Sequence, residues 1–117
     1  MIGGAPTTVQ ADVVASTLRL VAATSVSPAA EPAAKALACI LDAHGFTVTV
    51  DDWGNTMGHL DFGPGPTVLF DAHVDTVEVG DLSRWTHDPA GEVVGDRIVG
   101  RGVVDTKGPL AAARSEE

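Results

Sequence analysis

The sequence predicts a small α/β domain: two helices packed on a mixed sheet of about four strands, with a third helix beginning near Pro109. Three observations carry that prediction. Apolar residues recur at helical spacing in two stretches before Gly45, short alternating or continuous apolar runs follow from Phe46 onward, and glycine and proline punctuate the intervals. At 117 residues the chain has room for one domain of ordinary size, about 100–150 residues, and therefore for one core.

Residues 1–8 read as a flexible lead. From about Val9 to Thr24, Val13, Val14, Leu18 and Val21 fall at helical spacing, with Asp12 and Arg19 available for the wet face. Ser25-Val26-Ser27-Pro28 interrupts this pattern. Ser27 can cap a second helix with Pro28 in its first position, or that helix begins a turn later at Pro32. Ala34, Leu37, Ala38 and Leu41 then form one apolar stripe, and Gly45 is a natural stop. His44 falls in the last turn, where it complements the helix dipole. Cys39, the sole cysteine, excludes an intramolecular disulfide and reads as a buried structural thiol.

Phe46 to Val50 alternates as a half-buried strand, Asp51 to Asn55 is turn chemistry, and Thr56 to Asp61 completes a hairpin-like pair. Gly63-Pro64-Gly65-Pro66 is the strongest break. After it, Thr67 to Asp71 is predicted to be a continuous apolar strand buried on both faces. Thr76 to Asp96 reads mostly as loop, long enough to lie over a site. Arg97 to Val99 is a short strand, and Pro109 to Ala113 opens a helix.

Sixteen acidic against seven basic residues give a net charge of −9, which argues against nucleic acid or an anionic membrane surface as partner. No basic, apolar leader and no run of 18 apolar residues is present, so a soluble cytoplasmic protein is expected.

Two anchors could carry chemistry: Asp71-Ala72-His73-Val74-Asp75 and Gly100-Arg101-Gly102-Val103-Val104-Asp105-Thr106-Lys107-Gly108. On a strand, alternate residues share a face, so His73 and Asp75 point together. One ring nitrogen can then bind a cation while the carboxylate accepts a hydrogen bond from the other. Asp71 shares that face but comes earlier and is the weaker candidate. His59-Leu60-Asp61 repeats the His-x-Asp pattern in an ordinary strand, where His59 reads as solvent-facing, so the pattern alone is weak. Only the copy at 73–75 follows a buried apolar run and precedes a glycine-flanked aspartate at another strand end, where open α/β sheets place ligand crevices. Asp105 at such a corner can bridge two cations; a tight corner with Asp105 as helix N-cap accounts for the same residues. Arg101 is expected to pair with a neighbouring acid. Lys107 is expected at the helix surface or as a loop brace rather than as a catalytic base.

Three blocks in order, Val68 to Val77, Trp85 to Pro89 and Ile98 to Gly108, closely resemble the co-catalytic zinc metallopeptidase family that includes acetylornithine deacetylase, succinyl-diaminopimelate desuccinylase, aminoacylase, carboxypeptidase G and related dipeptidases. The resemblance extends more loosely through Ser27 and Glu31, Gly45-Phe46 and Gly54-Asn55, and so covers nearly the whole chain. It implies that residues 1–117 are an incomplete, N-terminal portion of a catalytic domain, without the family's lid-like dimerisation domain. It further implies His73 as a ligand of one zinc, Asp105 as the carboxylate bridging two, Asp75 as the catalytic-site acid orienting His73, and a cis peptide bond at Asp105–Thr106. Two Zn2+ per complete site are implied, with Co2+ or Mn2+ as alternatives, acting on an amide bond of a small N-acyl amino acid or peptide in the full-length form. The family's glutamate base and remaining ligands lie downstream, so this chain alone is expected to be inactive. Glu116-Glu117 follows too closely on Asp105 to replace them. The alternative is a non-catalytic remnant or binding module that associates with a complementary fragment through an exposed sheet edge. The departures are Thr106 where Met or Gln is frequent, Pro109 for Gly, Ala90 for an aromatic and Val99 for Tyr.

Overall fold

The computed structural model describes residues 7–114. In order they form α1 (Thr8–Ala22), α2 (Glu31–Ala43), β1 (Thr47–Val50), β2 (Thr56–His59), a 3-10 turn (Leu82–Arg84), β3 (Glu92–Val94), β4 (Arg97–Val99), a π-type turn (Val103–Lys107) and α3 (Gly108–Ala113). The mixed α/β class holds, with two helices and the short third one. The sheet differs from expectation. In place of one mixed sheet there are two separate antiparallel pairs, β1–β2 with Thr47 opposite His59 and β3–β4 with Glu92 opposite Val99.

The helix starts have local causes. Thr7 Oγ1 accepts from the Gln10 amide at 3.2 Å and Gln10 Oε1 accepts from the Thr7 amide at 2.9 Å, a reciprocal capping box that satisfies two donors at the start of α1. Helical structure thus begins at Thr8, inside the expected lead; residues 1–6 lie outside the described residues. For α2 the later of the two expected starts is the one found: Glu31 leads, with Pro32 in the first turn, whereas Ser27–Pro28 is a cis peptide in the preceding turn. Gly45 ends α2 at φ +82°, a left-handed conformation that glycine adopts without a Cβ penalty.

The core lies between helices. Leu20 of α1, Leu37, Ile40 and Leu41 of α2, and Ala111 of α3 are buried together, with Val13, Phe46, Val48, Val74 and Leu110 packed against them. The β1–β2 hairpin lies close on α2, where a Cβ at Gly58 would come within 3.0 Å of Leu41 and Phe46 side chains. Cys39 is exposed, contrary to its reading as a buried thiol. With Ala33, Ala34, Leu37, Ile40 and Leu41 buried, a pitch of 3.6 residues per turn puts position 39 on the far side of α2.

The stretch Thr67 to Asp71 corrects another expectation. It forms no strand, and Val68, Leu69 and Phe70 are 74%, 85% and 71% exposed. An apolar run is buried as a strand only when neighbours pair with it, and no strand among the described residues does. Conversely β3 arises where loop was expected: Gly95-Asp96 makes a two-residue turn, with Gly95 at φ +61°, and folds Glu92–Val94 back on Arg97–Val99. Among the described residues no helix is long and apolar enough to cross a membrane.

Candidate metal centre

The two anchors converge. The chain from α1 crosses to the segment after His73 through one parallel bridge between Val26 and Thr76, in which the Thr76 amide donates to Ser25 O at 2.9 Å and the Ser27 amide to Thr76 O at 3.3 Å. On the other side, Gly102 turns the chain out of β4 at φ +86°. A Cβ there would meet Thr76 Cγ2 at 2.7 Å and Lys107 Cδ at 3.5 Å, so glycine is needed both for conformation and for close approach. Between these elements lies a cleft of about 330 Å³ lined by His73, Asp75, Arg101, Val104, Asp105 and Ser27 among others.

His73 stands between two acids. Its Nε2 is 2.9 Å from Asp105 Oδ1, and its Nδ1 is 3.1 Å from the Asp75 carbonyl oxygen and 3.2 Å from Asp75 Oδ1. Every neighbour of the ring nitrogens is an acceptor, so protonation is favoured. The Asp105 hydrogen bond, followed by that to the Asp75 carbonyl, raises the imidazole pKa above its usual value. The His73 side chain is 51% exposed and that of Asp105 85%, so both are open to a solute.

Asp105 does not cap α3, which has no side-chain cap; its carboxylate is turned to His73 instead. The Asp105–Thr106 peptide is cis, as the resemblance implied. Asp71 is exposed and is not among the residues lining the cleft. The other His-x-Asp copy is not assembled in this way: His59 is exposed on β2 and Asp61 Oδ1 accepts from the Gly63 amide at 2.8 Å within a turn. His44 ends α2 with Nδ1 2.6 Å from Ile40 O and Nε2 3.0 Å from Asp12 Oδ2.

Two cations behave differently from expectation. Arg101 pairs with no acid among the described residues; its guanidinium lies over the Trp85 ring at 5.4 Å, an attraction between cation and π face. Trp85 is itself held by a 2.9 Å bond from Nε1 to Val79 O. Lys107 is a brace, but a buried one at 1% exposure. Its Nζ donates to Ser25 Oγ at 2.7 Å and to Ala23 O at 3.1 Å, and burial pushes its pKa down. Sequence reasoning missed Ser25 as its partner, since nothing local to a serine in a helix-breaking stretch points to a lysine 82 positions on. Glu116 and Glu117 lie outside the described residues.

One imidazole nitrogen and one carboxylate oxygen at this spacing suit a divalent cation such as zinc, which takes N and O donors at about 2.0–2.2 Å in a shell of four. They fit as part of such a shell. Among the described residues no group of three or more His, Cys, Asp or Glu side chains is placed to hold a metal.

Helices flanking small sheets, with a His–Asp pair open to a cleft at their edge, make this a mixed α/β protein. No family model matches the chain. It is 33% identical over 109 residues to a succinyl-diaminopimelate desuccinylase of Ehrlichia ruminantium, an alignment covering 86% of this chain and 28% of that protein. It is 39% identical over 106 residues to the succinyl-diaminopimelate desuccinylase of Methylobacterium nodulans, covering 83% and 26%. The chain belongs to the metallopeptidase family of these desuccinylases. It spans little more than a quarter of the length of the curated relatives it matches, 28% and 26%.

Proposed function

We propose that this chain forms one side of a zinc centre in an amide hydrolase acting on small N-acyl amino acids or peptides, with His73 and Asp105 as ligands and Asp75 orienting His73. The relatives' name directs the substrate reading to an N-succinyl amino acid. The supporting observation is the 2.9 Å approach of His73 Nε2 to Asp105 Oδ1 from segments 32 residues apart, at an open cleft. Bound zinc supplies Lewis-acid polarisation of a carbonyl and activation of water.

The protein's own part is to prepare the donors. Asp75 holds the Nδ1 proton with its carbonyl and carboxylate, which fixes the ring's orientation and leaves Nε2 as the donor once its proton departs. Asp105 Oδ2 makes no hydrogen bond among the described residues, so it is free for a second cation, as a bridging carboxylate requires. Within the cleft Asp75 and Asp105 are the acidic residues, and both are engaged with His73. Among the described residues no further carboxylate lines the cleft as a general base, and the 117-residue chain by itself is therefore proposed to have negligible turnover.

Calorimetric zinc titration of the chain, of Asp105→Ala and of His73→Ala tests the ligand assignment: both variants should lose uptake, and uptake equal to the parent's would remove it. Robust zinc-dependent deacylation of an N-succinyl amino acid by the 117-residue chain would overturn the claim that it lacks a base.

A second reading, a binding module completed by a complementary segment, has one observation in its favour. A groove of about 570 Å³ is lined by Leu37, Leu41, Phe46, Leu60, Phe70 and Leu110 among others, beside Phe62, Val68 and Leu69 at 74–85% exposure. Such a patch favours association. Light scattering that found a stable monomer at high concentration would exclude this reading.

A further inference from the structure

His73 and Asp105 sit on different segments, and something must hold those segments at the right separation. The His73 side is anchored through Thr76, which exchanges both backbone hydrogen bonds with Ser25 and Ser27. The Asp105 side is anchored at Lys107, whose amide donates to Gly102 O at 2.9 Å. The two anchors meet at one place. Lys107 Nζ reaches Ser25 Oγ at 2.7 Å and Ala23 O at 3.1 Å, while its stem and Thr76 both crowd the space that a Cβ at Gly102 would occupy. Ser25 is 1% exposed; one of its oxygens holds Thr76 and the other holds Lys107.

We infer that Lys107 is a positioning residue: its buried ammonium, clasped by Ser25 Oγ and Ala23 O, fixes the Asp105 corner to the Ser25–Thr76 bridge and so sets the spacing between His73 and Asp105. The inference rests on the assignment of these two side chains as ligands and adds the device that aligns them. Among the described residues the ammonium has no carboxylate partner. A purely stabilising core position would be filled at lower cost by an apolar side chain, because burying an unpaired charge is unfavourable. An alignment role accounts for a buried ammonium at this point of the fold.

The test uses the whole chain, isotopically labelled, with Lys107→Met and the milder Ser25→Ala, and with Ile40→Ala as a destabilising core change outside the clasp. The first readout is the nitrogen and carbon-bound proton signals of the His73 ring without metal, which report its contact with Asp105. The second is the zinc dissociation constant. Both clasp variants should shift the His73 signals toward those of Asp105→Ala and weaken zinc by about tenfold or more, the scale of outer-shell losses at metal sites; Ile40→Ala should do neither. Unchanged His73 signals in both clasp variants, or an equal shift in Ile40→Ala, would overturn the inference. Should the parent chain take up no zinc, the ligand assignment fails while the ring signals still decide whether the clasp sets the spacing.

Discussion

Two histidine Nε2 atoms each lie against an aspartate at nearly the same distance, in different surroundings. In one, His44 Nε2 lies 3.0 Å from Asp12 Oδ2; in the other, His73 Nε2 lies 2.9 Å from Asp105 Oδ1. The first is tied up by further partners. Arg114 Nη2 also reaches Asp12 Oδ2 at 2.7 Å and Ser16 Oγ at 2.7 Å, and His44 Nδ1 lies against the Ile40 carbonyl oxygen at 2.6 Å. The second faces a cleft, and among the described residues its carboxylates form no ion pair with a lysine or arginine. The pairing chemistry is the same, so the surroundings make the difference: a counter-ion makes a strut that joins α1, α2 and α3, and without one the proposed ligands stay open to the cleft.

The largest effect should separate the pairs by metal. His73→Ala should abolish zinc uptake and His44→Ala should leave the dissociation constant within a factor of about two; calorimetry showing the reverse would break the distinction. Next in size is Gly102→Ala, which places a methyl 2.7 Å from Thr76 Cγ2 at a φ of +86°. Overpacking on this scale costs about 1–3 kcal/mol, and urea unfolding should show it together with weakened zinc uptake. Arg114→Met should act on the other pair alone, lowering the thermal midpoint by roughly 5 °C with zinc affinity unchanged.

The smallest effect, a dependence on pH, has opposite sign at the two sites. The raised pKa of His73 means that its contact stabilises fully below the ordinary imidazole value of 6.5 and is lost as pH rises through the raised one. Asp12 is held below its ordinary 3.8, first by the Arg114 hydrogen bond. Its contribution is present above 3.8 and lost as pH falls through the lowered value. Both groups are partly exposed, so solvent screening keeps the contributions modest. Urea midpoints from pH 3 to 9 for the parent, His73→Ala and Asp12→Asn should resolve the two windows; coincident windows would remove the contrast.

How much of this was legible depended on how far apart the interacting residues lie. The stripe on α2, the Gly45 stop and the β1–β2 hairpin are written in residues a few positions apart, and the structure bears them out. Cys39 was misread because general apolarity was weighed above its angle on the helix. The Gly95-Asp96 turn was a readable signal for β3 that the surrounding polar stretch obscured. Thr67 to Asp71 failed for a different reason: an apolar run specifies that burial is wanted, not what provides it, and no strand among the described residues pairs with it. Within the site, His73 and Asp105 were singled out by type and context and do meet. The Ser25–Lys107 clasp was invisible, because neither residue type predicts a partner so distant in the chain.

The cation over the indole has an optical consequence. The chain has two tryptophans and no tyrosine, and their environments differ: Trp53 is 91% exposed in the hairpin turn, whereas Trp85 is half-buried beneath Arg101. Near-ultraviolet emission is thus the sum of one water-bathed indole, accessible to soluble quenchers, and one shielded by the loop at the edge of the cleft. Replacing Trp53 by phenylalanine isolates the second, giving a single intrinsic fluorophore whose colour and lifetime follow events beside His73 and Asp105.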